Sequence, residues 1–364
     1  MKLCTLTTGD AVCRRDKTIV IRFEKPRKIL STSLLNGGYH ENLTAVFNHN
    51  TDYDGVMTSI ADYLEYMRGV ARQAGLDLAA VSGMGTAASM DNVAIQTESY
   101  QNLTVTAIVT GGVEVNGGRV GDPAHYFQPL GKDVLYKPGT INIMLVIDSD
   151  LPAGILARAL VTCTEAKTAA LQELVVGSNY SDGLATGSGT DQTIVIANPE
   201  SPLYLLSAGK HSKLGELIGV AVKKAVKEAL LRQNDLSAAS QHSALQRMKR
   251  FGATEEILWQ QYMAYYGEAH IEAVFMNTLY RIDGDSQLVT YTSLYAHLLD
   301  QWNWGLLSAE ETIEAGNALL ALAAAHFGMS PIMITGPGIE DSIQAWITLV
   351  IHIVVEELSR QTSR

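Results

Sequence analysis

Pro138-Gly-Thr-Ile-Asn-Ile-Met-Leu-Val-Ile-Asp148 decides the fold. Ile141, Ile143, Leu145 and Ile147 alternate with Asn142, Met144 and Val146 in the period of two that marks a strand. Nearly every side chain in the run is apolar, so the strand is expected at the centre of a sheet. Asp150 is a good helix N-cap and Pro152 falls in the first turn, where its missing N–H costs nothing. The run from Ala153 to Leu174 therefore predicts a helix of about six turns. Thr186-Gly-Ser-Gly-Thr-Asp191 follows as a glycine-rich turn dense in hydroxyls and closed by a carboxylate, feeding the apolar strand Thr193 to Ala197. Glycines on both sides of Ser188 predict a backbone path or a close approach that a Cβ would obstruct.

On the predicted helix, Leu156, Leu160, Cys163, Leu171 and Leu174 share one stripe, with Lys167 near its middle. An ammonium that faces a sheet must meet a carboxylate or a set of carbonyls, because an unpaired buried charge costs several kcal/mol. Two roles are open to Lys167: a structural ion pair or snorkelling stem, and a working group in a site. Glu165 points the other way, above Arg158 and Thr162.

These pieces stand in the order of a known family. Gly139 to Asp148, Thr164-Glu-Ala-Lys-Thr-Ala-Ala-Leu171, Thr186 to Asp191 and Ala208-Gly-Lys-His-Ser-Lys-Leu-Gly-Glu-Leu-Ile-Gly219 resemble the adenosylcobinamide amidohydrolases. Leu34-Leu-Asn-Gly-Gly-Tyr-His-Glu41 with Val46-Phe-Asn-His49 is similar to the family's opening motif, with His40 where arginine is the commoner residue. The resemblance covers about residues 28 to 233. It implies hydrolysis of the amide joining aminopropanol to a corrin side chain, giving adenosylcobyric acid, with a corrinoid as the small-molecule partner and no cofactor or metal. A corrinoid carrier or sensor that keeps the fold without the chemistry is the competing reading.

Amide hydrolysis needs an activated nucleophile or water, an acid for the leaving amine and donors for the oxyanion. The candidates for catalysis are Lys167, Thr190, Asp191 and Glu165. Those for substrate binding are Asn36, Gly37, His49, Asn142, Ser188 and Lys213. Ser188 and Thr190 offer hydroxyls, Asp191 a base, and Asn36 or Asn142 an amide N–H. His49 enters by resemblance alone. Lys210, His211 and Lys213 cluster at the start of a helix capped by Ser212, where N–H groups favour anions.

The formal net charge of −11 over 364 residues argues against a nucleic-acid or anionic-membrane partner, which would want a basic surface. An apolar share of 47% with 18% charged residues describes an ordinary folded chain. Cys4, Cys13 and Cys163 cannot all pair, so a reduced cytoplasm is the simplest setting. No basic-then-apolar leader opens the chain, and the apolar run Ala345 to Val355 is too short to span a membrane.

The expected fold class is α+β, a layered mixed or antiparallel sheet covered by helices, followed by an all-α domain. The boundary is placed in the polar linker after Asn234, giving domains 1–234 and 235–364. Ile19 to Phe23 and Ile29 to Ser33, separated by Glu24-Lys-Pro-Arg27, read as a hairpin. Asn36-Gly-Gly then breaks the strand, and Leu203 to Leu206 reads as a short one. Asn50, Asp52, Asp54 and Gly55 match the opening of a calcium loop, but Ala61 stands where its bidentate glutamate belongs. The run instead predicts a polar turn capping a helix from about Val56 to Ala74. Residues 117 to 138, with Gly121-Asp-Pro and Pro129-Leu-Gly, suit a loop beside a binding cleft. Gly215 and Gly219, one turn apart, would let the helix after Ser212 approach a neighbour closely. Helices are predicted over 241–250, 254–281, 286–302, 308–327 and 340–359, with Ser308-Ala-Glu-Glu311 as a capping box. That tail packs on the first domain or mediates a homodimer. Its histidines are scattered singly and predict no metal site.

Overall fold

Ile141–Ile147 is a central strand, paired on one side with residues 103–111 and on the other with residues 192–197. The computed structural model describes residues 1–51, 59–124, 127, 140–267 and 271–362. It contains two units, Met1–Ser237 and Ala238–Arg364. The first carries β1 (Lys2–Thr5), β2 (Ala11–Arg15), β3 (Thr18–Ser31), β4 (Gly38–Asn50), α1 (Ile60–Gln73), β5 (Val81–Thr86), β6 (Ala94–Tyr100) and β7 (Leu103–Gly111). Then follow β8 (Gly117–Gly118), β9 (Ile141–Ile147), α2 (Ala153–Glu173), β10 (Gly187–Ser188), β11 (Gln192–Ala197) and α3 (Lys213–Asn234).

Among the described residues, nine strands form one mixed sheet in the order β1-β2-β3-β11-β9-β7-β6, with β4 and β5 branching from β3. Two pairs are parallel, β4 with β5 and β9 with β11, and each is joined by a crossover containing a helix, α1 and α2 respectively. The sheet curls on itself. Ile143, Leu145 and Ile147 face α2 and α3, whereas Met144 and Val146 face Val12, Ile19, Ile29, Val46 and Met84 from the β1–β5 end. Both faces of β9 are thereby dry, which explains why its sequence is apolar throughout. On α3, Leu214, Leu217, Ile218, Ala221, Ala225 and Ala229 are all buried, and the Ser212 side chain caps the helix by accepting from Gly215 N–H.

Several expectations are corrected. The hairpin at Glu24-Lys-Pro-Arg27 is instead the bulged middle of one long strand, β3. Its pairing with β4 jumps from Arg22↔Ala45 to Arg27↔Leu43, so the extra residues, Pro26 among them, bow out of the ladder. Arg27 lies inside the bulge and binds Asp10, 3.0 Å from each carboxylate oxygen, and Asn198 Oδ1 at 2.6 Å. Asp150 does not cap α2, because its carboxylate holds Lys28 Nζ at 2.6 Å; Pro152 is the N-cap. Residues 203–206 form a single bridge, Tyr204 to Asp150, and not the expected strand. Gly215 packs against the Gly209 carbonyl of its own entering loop, and Gly219 faces open space, so neither admits a neighbouring helix. Helix α1 is capped by Ser59, which accepts from Asp62 N–H. The calcium-like residues Asp52, Asp54 and Gly55, the predicted start at Val56 and most of 125–139 lie outside the described residues, as does His270.

The second unit is all-helical: α4 (Ala244–Met248), α5 (Glu255–Tyr266), α6 (Glu272–Asp283), α7 (Ser286–Asn303), α8 (Ala309–His326) and α9 (Ile339–Thr362). The span expected as one helix over 254–281 is two, α5 ending at Gly267 with φ 60°. Ser308 and Glu311 form the reciprocal capping box at the start of α8. Trp346, Leu349, Val350, Ile353 and Val354 of α9 pack into the unit's core with Tyr262, Phe275 and Tyr295. By length and composition alone, Ile339–Gln361 could cross a membrane, although over half of its most apolar window is buried within the protein.

Candidate functional site

The parallel β9-α2-β11 crossover puts the polar turn directly against the middle of α2. Thr168 Oγ1 donates to Thr186 O at 3.0 Å, and Thr140 Oγ1 donates to Thr190 O at 2.6 Å, which fixes the turn to the helix at one end and to β9 at the other. Asp191 lies behind the turn. Its Oδ1 accepts from Ile141 N–H at 2.8 Å and from Ser188 Oγ–H at 2.7 Å, and its Oδ2 from Ser188 N–H at 3.0 Å and from the Lys167 ammonium. A carboxylate has about four acceptor positions, so these four donors fill it. The Lys167 and Asp191 side chains are 11% and 13% exposed, a nearly buried pair. The cation in the apolar stripe of α2 is thus compensated by a carboxylate 24 residues later.

Gly187 is where glycine is required: a Cβ there would strike the Asp191 carboxylate and lie 2.6 Å from Lys167 Nζ. At Gly189 it would meet the Asn116 amide at 3.3 Å, a contact that a small shift relieves. Gly187→Ala is therefore expected to part Lys167 from Asp191 and lower turnover by about 10², since a displacement near 1 Å has that effect, while Gly189→Ala changes it far less. Steady-state kinetics of the two variants check this ordering.

In front of the turn is a cavity of about 660 Å³. Lys167, Ser188 and Thr190 line it together with Asn116, Arg119 and Tyr180. The turn is tied to residues 117–118 by a two-residue ladder, Gly187↔Gly118 and Ser188↔Gly117. Tyr180 Oη donates to Asn116 Oδ1 at 2.8 Å. Asp122 accepts from Ser178 and Ser181 hydroxyls, both at 2.6 Å, and from Arg119 N–H at 2.8 Å. Burial raises the Asp122 pKa, but these hydrogen bonds and the Arg119 charge outweigh it and hold the carboxyl below its ordinary range.

The structure brings together Lys167, Ser188, Thr190 and Asp191. Asn142 is one step removed: its Nδ2 donates to Asn48 Oδ1 at 2.8 Å and Gly85 O at 3.0 Å inside the curled sheet, and its Oδ1 lies 3.4 Å from the Thr140 hydroxyl oxygen, whose proton holds the turn. Glu165 lies about 200° around α2 from Lys167. It is half-exposed beside Arg158 at 3.8 Å and Lys210 at 3.5 Å, away from the cavity. Asn36, at φ 49°, spends its amide on Leu78 O at 2.8 Å and Val81 O at 2.7 Å, and a Cβ on Gly37 would strike the Ser33 carbonyl. Lys213 pairs with Glu216 at 2.6 Å over the Tyr100 ring, on the surface. Among the described residues no group of three or more His, Cys, Asp or Glu gathers in metal-binding fashion.

His49 is buried on β4, with Nδ1 2.7 Å from Thr18 Oγ1 and Nε2 2.9 Å from Tyr66 Oη. Burial, assisted by the Lys17 charge, pushes its pKa down to about 4. The unfolded chain takes that proton near 6.5, so between these values the unfolded state binds more protons and folding weakens as pH falls. The thermal midpoint of the full chain is expected to drop from pH 6.5 toward 4 by an amount worth about 1 to 2 kcal/mol from this group. His49→Gln should flatten that part of the profile, and an unchanged profile in the variant refutes the assignment.

Arg119, Asn116, Tyr180 and Asp122 were not singled out from sequence. The loop expected over residues 117 to 138 contains Arg119 and Asp122 without marking either, and a two-residue ladder has no periodicity to betray it.

A curled mixed sheet with helices on its outer faces, carrying a polar cation-bearing cleft and followed by a helical unit, defines an α+β protein of layered type. A family model described as adenosylcobinamide amidohydrolase matches residues 3–238, and the chain belongs to that family. An uncharacterized protein of Methanocaldococcus jannaschii is 35% identical over 238 residues, 62% of this chain and 91% of that one. An adenosylcobinamide amidohydrolase of Methanosarcina mazei is 30% identical over 174 residues, 46% of this chain and 74% of its own. A crystal structure of a Pyrococcus horikoshii protein aligns with 69% of this chain and 88% of its own at 16% identity, with a TM-score of 0.31.

Proposed function

We propose that this chain hydrolyses the amide between aminopropanol and the corrin side chain of adenosylcobinamide, releasing adenosylcobyric acid. The supporting observation is the Lys167–Asp191–Ser188 cluster at the wall of a 660 Å³ cavity, in a chain of this family. A cavity of that size suits a corrin side arm and its amide. Lys167 places a cation where the carbonyl oxygen gains charge, and Asp191 is positioned to take a proton from the attacking group. Arg119, Asn116 and Tyr180 offer polar contacts for the rest of the arm. The full chain incubated with adenosylcobinamide should release aminopropanol in step with the acid. A shift of the corrin spectrum without released amine after long incubation leaves a corrinoid-binding protein and overturns the hydrolase reading.

We assign this activity to the first unit. The family match ends at residue 238, and 62% of this chain suffices to match 91% of the Methanocaldococcus relative. A chain ending at Ser237 is expected to fold and to turn over within about tenfold of the full chain, as a unit with its own core should. Circular dichroism and turnover check it; an insoluble or inactive fragment assigns residues 238–364 a share of the site or core.

A further inference from the structure

We infer that Ser188 is the nucleophile and that the reaction passes through an acyl ester on its Oγ, an inference that rests on the hydrolase reading above. Three features of the turn separate Ser188 from Thr190 and from a directly activated water. The Ser188 hydroxyl lines the cavity and already donates to Asp191 Oδ1 at 2.7 Å, so proton transfer would run along an existing hydrogen bond. Asp191 itself is filled by four donors, and a water could reach it only by displacing one of them. Lys167 reaches the cavity wall from α2 while holding the second carboxylate oxygen, which puts an ammonium beside the base at the same wall as the Ser188 hydroxyl.

The step balances within these residues. The Ser188 proton passes to Asp191 Oδ1 as Oγ bonds to the amide carbon. The carbonyl oxygen takes up the C=O electron pair and faces the Lys167 ammonium. The C–N bond then breaks as the carbonyl re-forms, and the leaving nitrogen takes the proton from Asp191 Oδ1, restoring the carboxylate while Lys167 stays an ammonium on Oδ2. Water next attacks the ester carbon and gives one proton to Asp191; the C–Oγ bond breaks, and Oγ recovers that proton. Amide and water become acid and amine, and the protein is unchanged.

A bond from Ser188 to Asp191 would also exist if it merely closed the turn, and the experiment separates the roles. Full-length protein is given adenosylcobinamide with and without hydroxylamine, and separately a fluorophosphonate probe followed by peptide mapping. The expected results are a corrinoid hydroxamate formed without loss of aminopropanol release, probe attached at Ser188, and roughly 10³-fold slower turnover in Ser188→Ala at near-native melting. Ser188→Ala turnover within tenfold of wild type overturns the inference. So does wild-type hydrolysis with neither hydroxamate nor labelled Ser188, and the hydrolase reading then survives alone. Labelling of Ser188 in a protein that leaves adenosylcobinamide intact removes the substrate reading and keeps the nucleophile.

Discussion

Lys167→Met is expected to lower kcat on adenosylcobinamide by about 10² or more, at nearly unchanged corrinoid affinity, for a stability cost of about 1 to 2 kcal/mol. Methionine keeps the stem on the apolar stripe and removes the charge. Abandoning a buried carboxylate ordinarily costs about 3 to 5 kcal/mol. Here Asp191 retains Ile141 N–H, Ser188 N–H and the Ser188 hydroxyl, so the charge is still hydrogen-bonded three ways and the cost should fall well below that range. The rate loss has no such cushion, since no other described ammonium lines the cavity. Thermal midpoint, spectral titration with corrinoid and turnover on this variant decide between roles. A large drop in midpoint with normal turnover per folded molecule makes Lys167 a structural partner, and full turnover in a stable variant eliminates both roles.

Part of this cluster was legible because it violates local rules. A lysine between Cys163 and Leu171 on a buried stripe has to be compensated, and a turn with two glycines, two hydroxyls and a carboxylate is poor material for a plain connection. Their meeting was less legible, because it depends on β11 lying parallel to β9, a pairing that brings distant segments together and that no local period encodes. Glu165 shows the opposite failure: it shares a motif with Lys167 but not a helix face, and helical phase outweighs proximity in sequence. Asn36 and Gly37 belong to a motif as well, yet their side-chain amide and missing Cβ serve the corner after β3. Motif membership therefore mixed groups that hold the fold with groups that line the cavity, and only three-dimensional placement sorts them. In β3 the local signal misled for a related reason. Glu24-Lys-Pro-Arg27 has the composition of a turn, but pairing on both sides keeps the strand running through a bulge.

Asp191→Asn should be the more damaging change, destabilising the first unit by about 3 to 5 kcal/mol and reducing turnover beyond about 10³. The shape is kept, so the loss is electrostatic. Whichever way the amide is turned, its NH₂ faces a backbone donor, Ile141 N–H at one position or Ser188 N–H at the other, and Lys167 loses its countercharge. Donor against donor inside the protein leaves groups unsatisfied, whereas Lys167→Met leaves every remaining donor with its acceptor. This asymmetry predicts the behaviour of the double variant. With Lys167→Met already present, Asp191→Asn no longer strands an ammonium, and the combined stability cost should fall short of the sum by about 1 to 3 kcal/mol. Denaturant unfolding of wild type, both single variants and the double variant measures that coupling. Additive costs would mean that Lys167 and Asp191 do not depend on each other in the folded protein, and the ion pair would then lose its place as the organising contact of the site.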